Sequence, residues 1–357
     1  MKHLHLSNRR ISRVIAVLTF GAALAVAATS AGADAGTAAV STADVARPTD
    51  GPAFPVFVKL PADQAAHPDA RQEWWYVVGH VEAHGHRFGY EVTIGGGQQP
   101  QAIASITDRT SGAYYTTYAS YSPDRTRFST TELDVRTPSA TLSGPMDAMR
   151  LHATLPVGAI DVTLSARGPA LYNNGTGLMP FLGGTSYYYS LPSLETRGTL
   201  EVDGRAYTVA GESWLDRQWG TWDWSTMDKW TWMPLQLSNG DRINLWDLFA
   251  EGKELAYATV LHPDGTHELV GVQPLAATTS GFWTSPATGQ RYGTRWTVKI
   301  AALDADLTVV AEPRGQERLG AFGGTYEGAS TVTGRVRGKP ITGRTYVEQN
   351  GNWHPNR

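Results

Sequence analysis

Gly198-Thr199-Leu200-Glu201-Val202-Asp203-Gly204-Arg205-Ala206-Tyr207-Thr208-Val209-Ala210 reads as two strands joined by a two-residue turn. Asp-Gly between β-prone runs is a strong hairpin signal, because both turn residues need positive φ. The pattern recurs outward in both directions. Upstream, Trp74–Ala83 and Phe88–Ile94 flank His84-Gly85, Ala102–Thr107 and Ala113–Tyr121 flank a five-residue turn, and Leu151–Leu155 precedes Ala159–Ala166. Downstream, Trp232–Leu237 and Arg242–Phe249 flank Ser238-Asn239-Gly240-Asp241, while Pro263-Asp264-Gly265 and Arg337-Gly338-Lys339-Pro340 mark further turns. Amphipathic helical runs are almost absent. The spacing predicts an all-β chain of antiparallel sandwiches or barrels, and 357 residues is enough for two. The least strand-like stretch, Gly168–Gly184, is expected to be a lid or rim loop.

Composition narrows the function. The chain has no cysteine, which removes disulfides, thiolate metal sites and cysteine nucleophiles. A net charge of −3 offers no basic excess for a phosphate backbone, so no nucleic-acid partner is expected. Lys2, Arg9, Arg10 and Arg13 precede an apolar run, Val14–Ala28, and then the small residues Ala31-Gly32-Ala33. That is the layout of a signal peptide over residues 1–33, and its apolar run is short for a membrane span. Arg9-Arg10 keeps a twin-arginine route open beside the general one. Cleavage would take the net charge from −3 to −7, and residues 34–53 read as a flexible leader. The expectation is a secreted or cell-envelope protein, with peripheral envelope association possible, and with two β domains over 54–225 and 226–357.

Aromatic residues concentrate in Glu73-Trp74-Trp75-Tyr76, in Tyr187-Tyr188-Tyr189 and in Trp214–Trp232, which holds six of the 12 tryptophans. Strand alternation puts Trp214, Asp216 and Gln218 on one face, opposite Leu215, Arg217 and Trp219. It likewise puts Tyr187 and Tyr189 together, opposite Tyr188. Single aromatics of this kind fill β cores. A carboxylate on such a face must be paired or protonated, and Arg217 or Arg205 could pair with Asp216 or Glu73. The candidate acid is therefore Asp216. The candidate pocket is Trp214, Tyr187, Tyr189, Glu73, Trp75 and Trp219.

His67-Pro68, Glu73-Trp74-Trp75-Tyr76, Gly79-His80-Val81, Gly85 and Phe88-Gly89-Tyr90 resemble the opening motif of the carotenoid 1,2-hydratase (hydroxyneurosporene synthase, CrtC) or AttH-like family. Tyr187-Tyr188-Tyr189-Ser190-Leu191-Pro192 resembles its middle motif, and Gly211–Gly220 resembles its most specific block. Tyr326-Glu327-Gly328-Ala329 and Gly343-Arg344-Thr345-Tyr346-Val347-Glu348 resemble its closing motif. The resemblance implies two tandem lipocalin-like antiparallel β-barrel domains with a ligand pocket in or between them. It implies hydratase, isomerase or cyclase chemistry on a polyene, isoprenoid or phenolic molecule, with no metal or organic cofactor. It also places the acid of the family's hydratases at Asp216. Those hydratases carry Tyr where Trp214 stands and a His in the middle motif, where this chain has its tyrosine run.

Rival readings have weaker support. Gly211-Glu212-Ser213 begins a nucleophile elbow but fails at Leu215, where glycine is required. His80, His84 and His86 could meet as metal ligands, but two of them sit in or beside a turn, where solvated His is usual. Gly95-Gly96-Gly97 leads into no helix, against a nucleotide cradle. The remaining alternatives to an enzyme are a lipocalin-like carrier and an accessory of envelope transport.

Overall fold

The computed structural model describes residues 56–320 and 323–351; the expected signal peptide and leader lie outside them. At the deciding hairpin, Asp203 and Gly204 take φ of 51° and 74°, as the turn requires. Its arms are the two longest strands among the described residues.

Thirteen strands form a first antiparallel sheet: β1 (Gln72–Ala83), β2 (His86–Gly95), β3 (Gln101–Asp108), β4 (Ala113–Ser120), β5 (Arg127–Phe128), β6 (Asp134–Arg136), β7 (Ala140–Ser143), β8 (Met149–Leu155), β9 (Gly158–Ala166), β10 (Leu171–Tyr172), β11 (Leu178–Phe181), β12 (Gly184–Val202) and β13 (Arg205–Thr221). Its order is β4-β3-β2-β1-β13-β12-β9-β8-β7-β6-β5, with β10 and β11 folded back onto β12. Ten strands form the second: β14 (Met227–Leu237), β15 (Arg242–Ala250), β16 (Lys253–Leu261), β17 (His267–Gly271), β18 (Thr279–Thr284), β19 (Arg291–Ile300), β20 (Ala305–Ala311), β21 (Glu317–Gly320), β22 (Gly323–Val336) and β23 (Lys339–Gly351). Its order is β17-β16-β15-β14-β23-β22-β20-β19-β18, with β21 on β22. Each sheet curls around its own core, giving two lipocalin-like barrels in tandem.

A third apolar cluster lies between the barrels. It holds Tyr76, Val78 and Trp214 from the first sheet and Trp230, Trp232, Trp246 and Tyr346 from the second. The central strands are therefore apolar on both faces: one face fills the barrel and the other meets the neighbouring barrel. Gly89 marks a close approach between the barrels. A Cβ there would lie 2.5 Å from Tyr346 Oη and 2.7 Å from Ala329 Cβ, so only glycine fits. The expected lid at Gly168–Gly184 is instead partly strand. Met179, Phe181 and Leu182 are buried in the inter-barrel cluster, which gives the segment a docking surface and ties it down.

Candidate functional site

Strand β13 sorts its side chains by parity. Leu215 and Trp219 join the core of the first barrel, whereas Trp214 and Asp216 face the second. Between the barrels lies a cavity of about 570 Å³, of the size that holds a small organic ligand. Trp74, Tyr76, Trp224, Trp230, Trp232 and Trp246 supply its aromatic surface. Asp216, Gln218, Arg318 and Glu348 supply polar groups, and the exposed Gln98 and Gln99 rim its outer end.

Asp216 is 3% exposed and held by neutral donors. Ser190 Oγ donates to Oδ1 at 2.5 Å, Trp214 Nε1 donates to Oδ1 at 2.6 Å, and the Tyr188 hydroxyl donates to Oδ2. Burial pushes its pKa up to about 7 against these three bonds, which favour the anion; the charge of Glu348 adds to the rise. No cation pairs with it among the described residues. Arg217, one position on, points into the first barrel, where its Nη2 bonds Glu73 Oε1 at 2.5 Å and its guanidinium stacks 3.8 Å over Trp75. Burial pushes the Glu73 carboxyl up, but the His67 hydrogen bond and the Arg217 charge outweigh it and hold the carboxyl below its usual range. Of the pairings open to Arg217 and Arg205, the one formed is Arg217–Glu73, and Asp216 is left without a counter-ion.

The second barrel contributes another group of acids. Trp230 Nε1 donates to Glu348 Oε1 at 2.6 Å. Burial raises the Glu348 pKa to about 7, opposed by Arg318 and the Trp230 bond. Tyr76, which crosses from the first barrel, donates to Glu327 Oε2 at 2.9 Å. Arg318 lies 3.2 Å from Glu327 Oε1 and 3.7 Å from Glu91 Oε1. Burial and the charges of Glu348 and Glu91 push the Glu327 carboxyl well up.

The expected pocket needs correction. Tyr187, Tyr189, Trp75 and Trp219 do not meet Asp216. Trp75, Tyr189 and Trp219 are buried in the core of the first barrel and Tyr187 packs against that core, with Trp219 stacked between Tyr187 and His67. The reason is register: β12 pairs Ser190 with Asp216 and Tyr188 with Gln218, so Tyr188 and Ser190 share the acid's face. Glu73 reaches the cavity wall but is committed to Arg217. Trp214 bonds Asp216 without lining the cavity. Missed altogether were Tyr188 and Ser190 as partners of the acid, together with Glu348, Glu327, Asn244 and Trp232. Glu327 and Glu348 stand in the closing motif, a signal that could have found them. His80, His84 and His86 do not gather: His80 is buried, with Nε2 3.1 Å from the Thr345 carbonyl oxygen, while His84 sits in the turn.

Comparison with known proteins agrees with this architecture. The chain is 28% identical over 213 residues to the dehydratase asqC of Emericella nidulans, covering 56% of this chain and 60% of that one. It is 26% identical over 200 residues to the kievitone hydratase of Fusarium solani subsp. phaseoli, covering 53% and 55%. The chain thus spans less than two thirds of the length of either relative. Among solved structures, an AttH protein from Nitrosomonas europaea superposes with a TM-score of 0.74 at 22% identity, over 84% of this chain and 100% of that one. The kievitone hydratase of Nectria haematococca superposes with a TM-score of 0.73 at 22% identity, over 83% and 93%. At such identity the structural likeness is one of fold. The AttH-like family model matches residues 53–352, across every described residue, and the chain belongs to the AttH-like family.

Proposed function

We propose that this protein adds water to, or removes it from, a carbon–carbon double bond of a hydrophobic small molecule, with Asp216 as the general acid. One observation carries the reading: a buried carboxyl, bonded only by neutral groups, forms part of the wall of an aromatic cavity. Protonating an alkene carbon needs an acid that keeps its proton near neutral pH, and burial supplies that. The cation formed next needs shelter, and desolvated aromatic faces stabilise a cation by about 1–2 kcal/mol each. Trp74, Trp232 and Trp246 line the cavity where that cation would form. The relatives' names, a dehydratase and a hydratase, describe the two directions of one class of reaction. Export is part of the proposal and rests on the basic and apolar pattern of residues 1–33 alone.

The test is to incubate the protein with a lipophilic extract in isotopically labelled water and follow the products by mass spectrometry. Compounds that gain or lose one water with the parent protein, and not with Asp216→Asn, support the reading. Compounds held unchanged by both forms would make it a carrier instead.

A further inference from the structure

The cavity contains a second carboxyl that the acid role leaves unused. Glu348 belongs to β23 of the second barrel and lines the same cavity as Asp216. Its Oε1 accepts from the Trp230 indole, and the carboxyl forms part of the cavity wall. Three carboxyls, Glu91, Glu327 and Glu348, gather near one cation, Arg318. That cation pairs with Glu91 and Glu327 and leaves Glu348 to the cavity. Tyr76 links the two acids in space: it lies opposite Asp216 in the β1–β13 register, and its hydroxyl bonds Glu327, which lies opposite Glu348 in the β22–β23 register.

Adding water to a double bond needs two proton transfers at different atoms. We infer that Glu348 is the base that takes the proton from the adding water, so that the catalytic pair is divided between the two barrels. This rests on the reading of Asp216 as the acid. The Asp216 O–H bond breaks and its proton forms a C–H bond with one alkene carbon, leaving a cation on the other. A water oxygen forms the C–O bond, and one of its protons passes to Glu348 Oε2. The product is the alcohol, with Asp216 ionised and Glu348 protonated. Return of one proton from Glu348 to Asp216 resets the pair, and the net change is one water consumed. Run backwards, the same steps dehydrate the alcohol.

A cation probe tests this without the natural substrate. Benzyltrimethylammonium carries a permanent positive charge on an aromatic body, and neopentylbenzene is its neutral carbon isostere. Both are titrated by tryptophan fluorescence at about pH 8, where carboxyls with values near 7 are ionised. Glu348→Gln and Asp216→Asn should each weaken the cation by about 10-fold or more, the scale of one lost charge-assisted contact, and leave the isostere unchanged. Glu327→Gln, altered at a carboxyl that does not line the cavity, should leave both probes unchanged. Cation affinity unmoved by Glu348→Gln but lowered by Asp216→Asn overturns this inference alone. Affinity unmoved by Asp216→Asn overturns the acid reading itself. Equal weakening by Glu327→Gln assigns the effect to the cluster's total charge and also overturns the role of Glu348. Should Glu348→Gln not fold, Glu348→Asp decides instead: with the carboxylate drawn back by one methylene, unchanged cation affinity counts against the inference and weakened affinity supports it.

Discussion

Asn244, on the second barrel, donates its side-chain amide to the Tyr188 hydroxyl of the first at 2.8 Å. The Trp232 indole, a donor only, bonds Asn244 Oδ1 at 3.0 Å, which fixes the orientation of the amide. With its oxygen accepting from Asn244, Tyr188 turns its own proton to Asp216 Oδ2. A residue of the second barrel therefore helps set the proton affinity of the acid on the first. Asn244→Leu should release Tyr188 to accept from a protonated Asp216 and raise the Asp216 pKa further. The loss of activity toward alkaline pH should then move to higher pH, as read from the pH–rate profile.

Stability should depend on pH in the direction opposite to ordinary acid unfolding. Burial raises Asp216 from 3.8 and Glu348 from 4.5 to about 7 in the fold. Below the unfolded values both states are protonated and the groups cost nothing. As pH rises toward about 7, the unfolded chain releases protons that the folded chain retains, and the fold is destabilised. Asp247, buried in the second barrel and also raised to about 7, acts in the same sense. The melting temperature should fall between about pH 4 and pH 7 and level off above, and Asp216→Asn should flatten that slope.

Gly89→Val should loosen the seam between the barrels. Its side chain would meet Tyr346 and Ala329 at less than van der Waals distance. A cost of about 1–3 kcal/mol is expected for overpacking at such a site, with strand content by circular dichroism retained. Thermal melts followed by tryptophan fluorescence would measure it.

Adjacent residues should behave in opposite ways. Arg217 is fully buried on Glu73, so Arg217→Met strands a buried carboxylate and should cost about 3–5 kcal/mol in chemical denaturation. Adding Glu73→Gln should recover part of that loss. Asp216→Asn removes a buried ionisable group and should leave stability at alkaline pH equal or higher.

The barrels were legible because turn chemistry is local: Asp203-Gly204 and His84-Gly85 take the positive φ values their residue types allow. Alternation also placed Trp214 and Asp216 on one face correctly. Alternation says nothing of how two strands align, and the one-residue parity of β12 against β13 decided for Tyr188 over Tyr187 and Tyr189. The irregular register between Leu191 and Leu194 falls at Pro192, which cannot donate to the ladder. Asn244 was illegible for another reason. It meets Tyr188, the acid's partner, only through the docking of the second barrel, and no local pattern encodes that contact.

The central claim is that Asp216 holds a proton near neutral pH, and difference infrared spectroscopy of the carboxyl C=O stretch tests it directly. Titrated from about pH 5 to pH 9, the parent should lose a protonated-carboxyl band with a midpoint near 7, and Asp216→Asn should lack a distinct part of it. A band identical in parent and Asp216→Asn across that range would mean that Asp216 is already ionised, and would contradict the account.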